Sequence, residues 1–336
     1  MPDKELRQSI FSPQMGAEAA TDHVKEMKET SAIAVPLYLD GLDKAPKERR
    51  FTPLRGGWLL TMLACPGNGK TSMAVWHAVQ RANWLAKNHL DNRVALFVSA
   101  EVDIETVLVQ AVSSQTGVPY ADILSGDVEP EDEKKFGDFM AIKVPKIPLW
   151  LAGHSSQRRT KKRLSVSDAF VDNVMTEIEG WGGPDTYQID ITYLDYLQLF
   201  ALDNRQQLSR QSSKAEMVSQ TVHNFREIGL NHHSVMWLNS QAKREVEQRN
   251  GDDKMPGVAD GFYSSDIEHD STVVAAGWRP GKYYNVGKIM RLGTDNIPVV
   301  DNMFMFTVWK HRYGPSNLGA KLYYNAAIAQ FGSLKE

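Results

Sequence analysis

The stretch Ala64-Cys65-Pro66-Gly67-Asn68-Gly69-Lys70-Thr71 decides the fold, because of what flanks it. Before it runs the apolar segment Trp58-Leu59-Leu60-Thr61-Met62-Leu63, a short buried strand by pattern; after it, Ser72 to Lys87 has helical periodicity. Strand, glycine turn, Lys-Thr and helix together read as a phosphate-binding loop. Gly67 and Gly69 let backbone N–H groups turn inward around an anion, and the helix beginning near Lys70 aims its positive end at the same place. Lys70 reaches the β- and γ-phosphates and the Thr71 hydroxyl suits Mg²⁺. The candidate nucleotide-binding residues are therefore Pro66, Gly67, Asn68, Gly69, Lys70, Thr71 and Ser72, with ATP and Mg²⁺ as the implied ligands. Ala64 stands where the general pattern has glycine. The competing reading is a tight strand–helix turn with an incidental lysine.

The chain has 336 residues, 42% of them hydrophobic and 24% charged, with a net charge of −3. That length holds one large α/β domain or two small ones. Near-neutral charge argues against wrapping nucleic acid with the whole surface, though not against a local basic lining. The single cysteine, Cys65, excludes an internal disulfide and a multi-cysteine metal site and fits a reducing compartment. Its place in the loop suggests either an oxidation-sensitive thiol or simply a small apolar residue. No apolar run is long enough to span a membrane, and the N-terminus is not a signal peptide; the expected location is cytoplasmic.

Outward from the loop, strands and helices alternate. Residues 1–15 lack periodicity. Residues 16–34 are helical by pattern, with an apolar stripe (Ala17, Ala20, Val24, Met27, Ile33) that needs cover from its own domain or from a neighbouring subunit. A basic, proline-containing connection follows (Lys44 to Arg50). Arg93–Ser99 reads as a buried strand ending in Ala100-Glu101; 103–116 and 130–143 as helices; Ile147–Leu151 as a strand. The densest basic cluster is Gln157–Arg163, a solvated face or a nucleic-acid contact. Ser167 caps a helix to about Gly180. Ile189–Phe200 reads as a second strand that carries chemistry, with Asp195 suited to hold the Mg²⁺ water shell. A helix to about Leu230 leads into the strand Ser234–Gln241, whose Gln241 is placed to sense a γ-phosphate. A polar loop (Lys243–Ser265), a strand (Thr272–Ala276) and antiparallel strands from Tyr283 on complete the chain. His223, His232 and His233 lack partners at metal-ligand spacing and read as surface residues. The fold class is α/β, with a mostly parallel sheet, helices on both faces and active residues at strand carboxyl ends.

Several separated motifs line up with one family. Besides 64–71 they are Phe97-Val98-Ser99-Ala100-Glu101, Leu194-Asp195-Tyr196-Leu197-Gln198-Leu199, Asn239 to Arg249, Ser264 to Asp270, and Lys310-His311-Arg312-Tyr313-Gly314-Pro315. The chain resembles the C-terminal RecA-type motor domain of hexameric replicative helicases of the DnaB type, over about residues 38–331, with 1–37 as a tail and linker helix. The resemblance implies a RecA-like P-loop ATPase that works as a ring, a hexamer, on single-stranded DNA in replication. It implies Glu101 as general base, Lys70 on phosphate, Thr71 and Asp195 on the metal, and Gln241 as the link to DNA-facing loops. Lys310 and Arg312 would act in trans, in the next subunit's site. The loops at 202–213 and 250–264 would face the channel, with Arg205, Arg210, Arg249 and Lys254 supplying charge. A loader or primase is an implied partner, and no membrane is.

The sequence departs from the family in three places. About forty residues precede the motor in place of the family's N-terminal domain, which points to a phage or mobile element. Ala242-Lys243-Arg244 replaces an asparagine-arginine after the sensor glutamine, and 158–163 and 279–303 resemble insertions. Two alternatives stay open: an ATP-switched assembly or loading platform that does not unwind, and a recombinase-like filament built on the same core.

Overall fold

The structure, a computed structural model, describes residues 12–157, 164–181, 186–204, 213–261, 264–292 and 294–334. The chain divides into two units, Met1–Val35 and Pro36–Glu336. The first contains α1 (Pro13–Glu29), opened by Ser12, whose hydroxyl accepts from the Met15 N–H at 3.2 Å, and by Pro13 in the first turn. A 3₁₀ turn continues it to Ile33, and no residue of α1 is buried.

The second unit runs α2 (Asp40–Asp43), β1 (Leu59–Ala64), α3 (Lys70–Lys87), β2 (Arg93–Ser99), α4 (Ile104–Thr116), α5 (Tyr120–Ser125), α6 (Pro130–Ile142), β3 (Leu149–Gly153) and α7 (Asp168–Gly180). It continues with β4 (Gln188–Asp195), α8 (Leu197–Asp203), α9 (Lys214–Asn231), β5 (Val235–Gln241), α10 (Ser264–Asp270) and β6 (Val273–Trp278). The last elements are the hairpin strands β7 (Ile289–Leu292) and β8 (Asp295–Pro298), then β9 (Met303–His311), β10 (Leu318–Asn325) and β11 (Gln330–Ser333). Among the described residues nine strands form one sheet in the order β11-β10-β9-β6-β1-β5-β4-β2-β3. The run from β6 to β3 is parallel; β9, β10 and β11 add antiparallel to the β6 edge.

Alternation along the central strands sorts their side chains to two covered faces. Val94, Leu96, Val98, Met236 and Leu238 pack against α7, α8 and α9, with Met175, Phe200 and Phe225 at the centre. Phe97, Tyr193 and Trp237 form the opposite face, with His77 of α3 against Tyr193 and Trp237. Burying this much aromatic and aliphatic surface, at roughly 25 cal/mol per Å², supplies the main drive for the sheet to form.

The amino ends of the strands carry buried charge. Arg81, fully buried, donates to Asp190 at 2.6 Å, and Arg93 donates to the other oxygen of Asp190 at 2.9 Å.

Four differences from the sequence reading have physical causes. The apolar run Ile189–Phe200 is a strand only to Asp195; Leu197–Asp203 turns helical because Leu197, Phe200 and Ala201 share one face that packs toward α9. The region 243–265 is structured by 3₁₀ turns at Arg244–Val246 and Val258–Asp260, and α10 begins before its end. The last edge strand, β11, is too short to show a period. His232 is not a free surface side chain: its ring lies between Glu179 (2.9 Å) and Asp172 (3.0 Å). The basic residues 158–163 and the loop 182–185 lie outside the described residues.

Candidate active site

The carboxyl ends of β1, β2, β4 and β5 lie side by side. Ala64 pairs with Gln241, Ser99 with Asp195, and the Ala100 N–H donates to the Asp195 carbonyl at 2.8 Å. This is the crevice in which open parallel sheets hold ligands. Chain pieces more than a hundred residues apart therefore meet here.

Between β1 and α3 the chain makes its phosphate turn. Gly67 and Gly69 have φ of +72° and +84°, a region that L side chains rarely adopt. A Cβ on Gly69 would also sit 3.1 Å from the Tyr324 ring. α3 then starts at Lys70, so its unpaired N–H groups open onto the turn.

Asp195 is the hub. Fully buried, it accepts from the Thr71 hydroxyl at 2.8 Å, from Lys70 Nζ at 3.2 Å and from Asn239 Nδ2 at 2.8 Å. Lys70 Nζ lies 4.5 Å from the centre of the Tyr196 ring. A hydroxyl and a carboxylate beside a lysine and a helix amino end form a donor set suited to phosphate plus Mg²⁺, which keeps most of its waters. Glu101 stands at the mouth. Partial desolvation, and next the charge of Asp195, lift its carboxyl above the ordinary range, while Lys70 pulls the other way.

A cavity of about 560 Å³ joins these groups: Lys70, Thr71, Glu101, Gln241, Arg244 and Arg279 all line it. A larger groove, about 850 Å³, runs past Trp76, Met303 and Phe331. It has no comparable convergence of charged groups, so the chemistry points to the smaller cavity.

The structure brings together Glu101, Lys70, Thr71, Asp195 and Gln241. Asn68, expected to bind nucleotide, turns its side chain inward instead: fully buried, it accepts from the Arg279 N–H at 3.0 Å and donates to Tyr283 Oη at 2.9 Å. The Ser72 hydroxyl accepts from Tyr324 Oη at 2.9 Å. Cys65 is buried, and burial pushes its thiol up to about 11, so it behaves as the small apolar residue of the two readings.

Lys310 and Arg312 lie elsewhere. Lys310 Nζ donates to the carbonyls of Glu268 and Ser271, the latter at 3.1 Å, and Arg312 Nη2 to the carbonyl of His269 at 2.8 Å. Both cations thus sit on the carboxyl end of α10. His311 between them pairs with Val273, and Val273 with Leu60. That register is four residues, roughly 13 Å of strand, below Ala64 and the phosphate turn.

Arg249 donates to the Met255 carbonyl at 3.2 Å and to Asp260, and Lys254, 9% exposed, donates to the Arg249 carbonyl. Both were expected to face nucleic acid; the structure engages them within their own loop, whose carbonyls need donors. Arg205 and Arg210 lie outside the described residues.

Sequence reasoning missed Gln198, Asn239, Arg279 and Tyr324. Gln198 donates to Ser240 Oγ at 3.1 Å and accepts from the Gln241 N–H at 3.1 Å, which locks the end of β5 to α8. Arg279 lies 4.9 Å over the Tyr324 ring. Gln198 and Asn239 were inside quoted motifs; Arg279 and Tyr324 carried no local signal.

The fold and crevice are those of a RecA-like P-loop domain. The family model of the DnaB-like helicase C-terminal domain matches residues 48–333, and the chain belongs to that family. No match was found among curated proteins. Two solved structures share the fold. One is described as a DnaB-like replicative helicase and its interactions with primase (TM-score 0.70, 18% identity, 95% of this chain, 67% of that one). The other is described as an ATPase domain (TM-score 0.71, 19% identity, 95% of this chain, 98% of that one). Membership supports an ATPase of the helicase type. Among the described residues no helix is long and apolar enough to cross a membrane.

Proposed function

We propose that this chain is the motor subunit of a ring-shaped oligomer, a hexamer, that hydrolyses ATP and moves along single-stranded DNA during replication. The observation that supports this most is the position of Lys310 and Arg312 at the opposite end of the strands from their own phosphate turn. Such cations serve hydrolysis if they reach a neighbouring subunit's crevice.

In this reading Lys70 and the α3 amino end bind the β- and γ-phosphates. Glu101, its carboxyl raised by partial desolvation and by Asp195, takes a proton from the attacking water. Thr71 and Asp195 would hold Mg²⁺, which would supply charge neutralisation on the phosphates. Gln241, fixed through its backbone by Gln198, sits between the crevice and the loop that follows β5. The loop that follows β5 would face the channel, and a loader or primase is the expected class of partner.

ATPase rate per subunit against protein concentration, with and without single-stranded DNA, for the wild type and Arg312→Ala, tests the proposal. A rate that climbs with assembly and DNA and collapses in the variant supports it. A dilute, DNA-indifferent activity that survives loss of Arg312 sinks it. The engagement of Arg249 and Lys254 within their own loop favours a second reading, a loading platform that does not unwind. Absence of unwinding on a forked duplex despite DNA-stimulated hydrolysis would select it.

A further inference from the structure

The segment 279–303, which resembles an insertion, makes two sets of polar contacts within residues 279–291. One set grips the phosphate turn. The Arg279 N–H donates to Asn68 Oδ1, Asn68 Nδ2 donates to Tyr283 Oη, and Lys282 Nζ donates to the Pro66 carbonyl at 2.6 Å. The Tyr283 hydroxyl donates in turn to Glu247 Oε1 at 2.5 Å, which also accepts from Lys282 at 2.9 Å. Glu247 lies six residues beyond Gln241, on the chain leaving β5.

The other set holds the tip of the loop after β5. Tyr284 Oη reaches the carbonyls of Gly251 and Asp252, each at 3.3 Å. Asp252 accepts from Lys288 Nζ and from the Arg291 N–H. Lys288 lies 3.8 Å over the Tyr284 ring. Met290 and Ile297, with Trp278 just ahead of the segment, anchor it in an apolar cluster that includes Leu63 of β1 and Val274 of β6.

The polarity of this chain is consistent throughout. Each donor meets an acceptor, and Tyr283 Oη both accepts and donates. Burial works against the Glu247 carboxylate, yet the hydrogen bonds from Tyr283 and Lys282 outweigh it and hold its carboxyl below the ordinary range.

We propose that Arg279–Arg291 is a strut joining the phosphate turn to the loop 247–254, with Tyr283 and Glu247 as positioning residues that set the conformation of the turn. Neither needs to touch nucleotide; both act through Asn68 and the Pro66 carbonyl. Asp252, at the far grip, then influences the turn although it does not line the crevice. The link to the DNA-facing loop rests on the function proposed above; the mechanical link does not.

The test is amide hydrogen exchange of the peptide containing Gly67–Thr71 in the nucleotide-free full chain. It compares the wild type with Tyr283→Phe, Glu247→Gln and Asp252→Asn, beside nucleotide affinity and the ratio of DNA-stimulated to basal ATPase. Losing a hydrogen bond of the strut in Tyr283→Phe, or weakening its charge-assisted bonds in the other two, should speed exchange of the turn by roughly three- to tenfold, with the thermal midpoint nearly unchanged in Tyr283→Phe. Exchange that stays at the wild-type rate in Tyr283→Phe and Glu247→Gln overturns the strut. Exchange that changes in those two but not in Asp252→Asn overturns the connection between the grips. A wild type that binds no nucleotide would defeat the proposed function while leaving the exchange result to judge the strut. With nucleotide bound, a lowered stimulation ratio in Asp252→Asn supports the coupling, and an unchanged ratio removes it.

Discussion

Glu101 and His77 show how environment assigns chemistry to single side chains. Glu101 sits where desolvation and the Asp195 carboxylate disfavour its charged form. As the proposed base it must be ionised, so activity should fall as pH drops through its folded pKa, above the ordinary 4.5. Glu101→Gln should lower kcat by roughly 10²–10⁴-fold, keep nucleotide binding, and flatten the acid limb of the pH–rate profile; steady-state kinetics across pH 5–8 check all three. His77 carries the opposite lesson. Its Nε2–H donates to the Pro36 carbonyl at 2.9 Å, so Nδ1 accepts from Tyr193 Oη at 2.6 Å, and burial drives its pKa from 6.5 to about 3. A histidine lowered on folding stabilises the fold fully above its unfolded pKa, and that stability is lost as pH falls from 6.5 toward about 3. Thermal midpoints should therefore fall with acidification over that window, and His77→Gln should be less stable at pH 7.5 but show a shallower slope.

At the scale of elements, α3, β2 and β4 are tied at their sheet-amino ends by Arg81, Arg93 and Asp190, opposite the crevice. Asp190→Asn leaves two guanidinium groups facing a neutral amide in a buried site, a loss of about 3–5 kcal/mol in unfolding free energy. Denaturant melts should show it, while nucleotide affinity per folded molecule stays near wild type. This tie was not legible in the sequence, since Asp190 lies about a hundred residues from Arg81. The elements around the phosphate turn were legible, because glycines, Lys-Thr and the switch from strand to helix are local signals. The run 189–200 was read one element too simply: a short apolar stretch has no period that separates strand from helix until α9 supplies a partner.

At the scale of the molecule, the distance between the phosphate turn and Lys310–Arg312 makes activity a property of assembly under the proposed function. Lys70→Ala lacks the lysine proposed to bind phosphate and Arg312→Ala the cation proposed to act in trans. Each should be inactive alone, the latter by roughly 10³–10⁵-fold. Co-assembled in equal amounts, about a quarter of the interfaces in a closed ring pair an intact crevice with an intact Arg312, and ATPase activity should return to a corresponding fraction. No recovery on mixing would show that Arg312 acts within its own subunit or not at all.

The amino-acid sequence by itself determined the phosphate turn, the alternation of strands and helices, Glu101, Asp195 and Gln241 at strand ends, and the family. Each is written in residues close together along the chain, where spacing and periodicity carry the signal. Only the tertiary structure decided that Asn68 braces the turn, that Arg249 and Lys254 hold their own loop, and that Lys310 and Arg312 rest on the end of α10. Those roles depend on partners brought close by sheet order and register. A side chain's charge is legible from its type, but what it contacts is set by the fold.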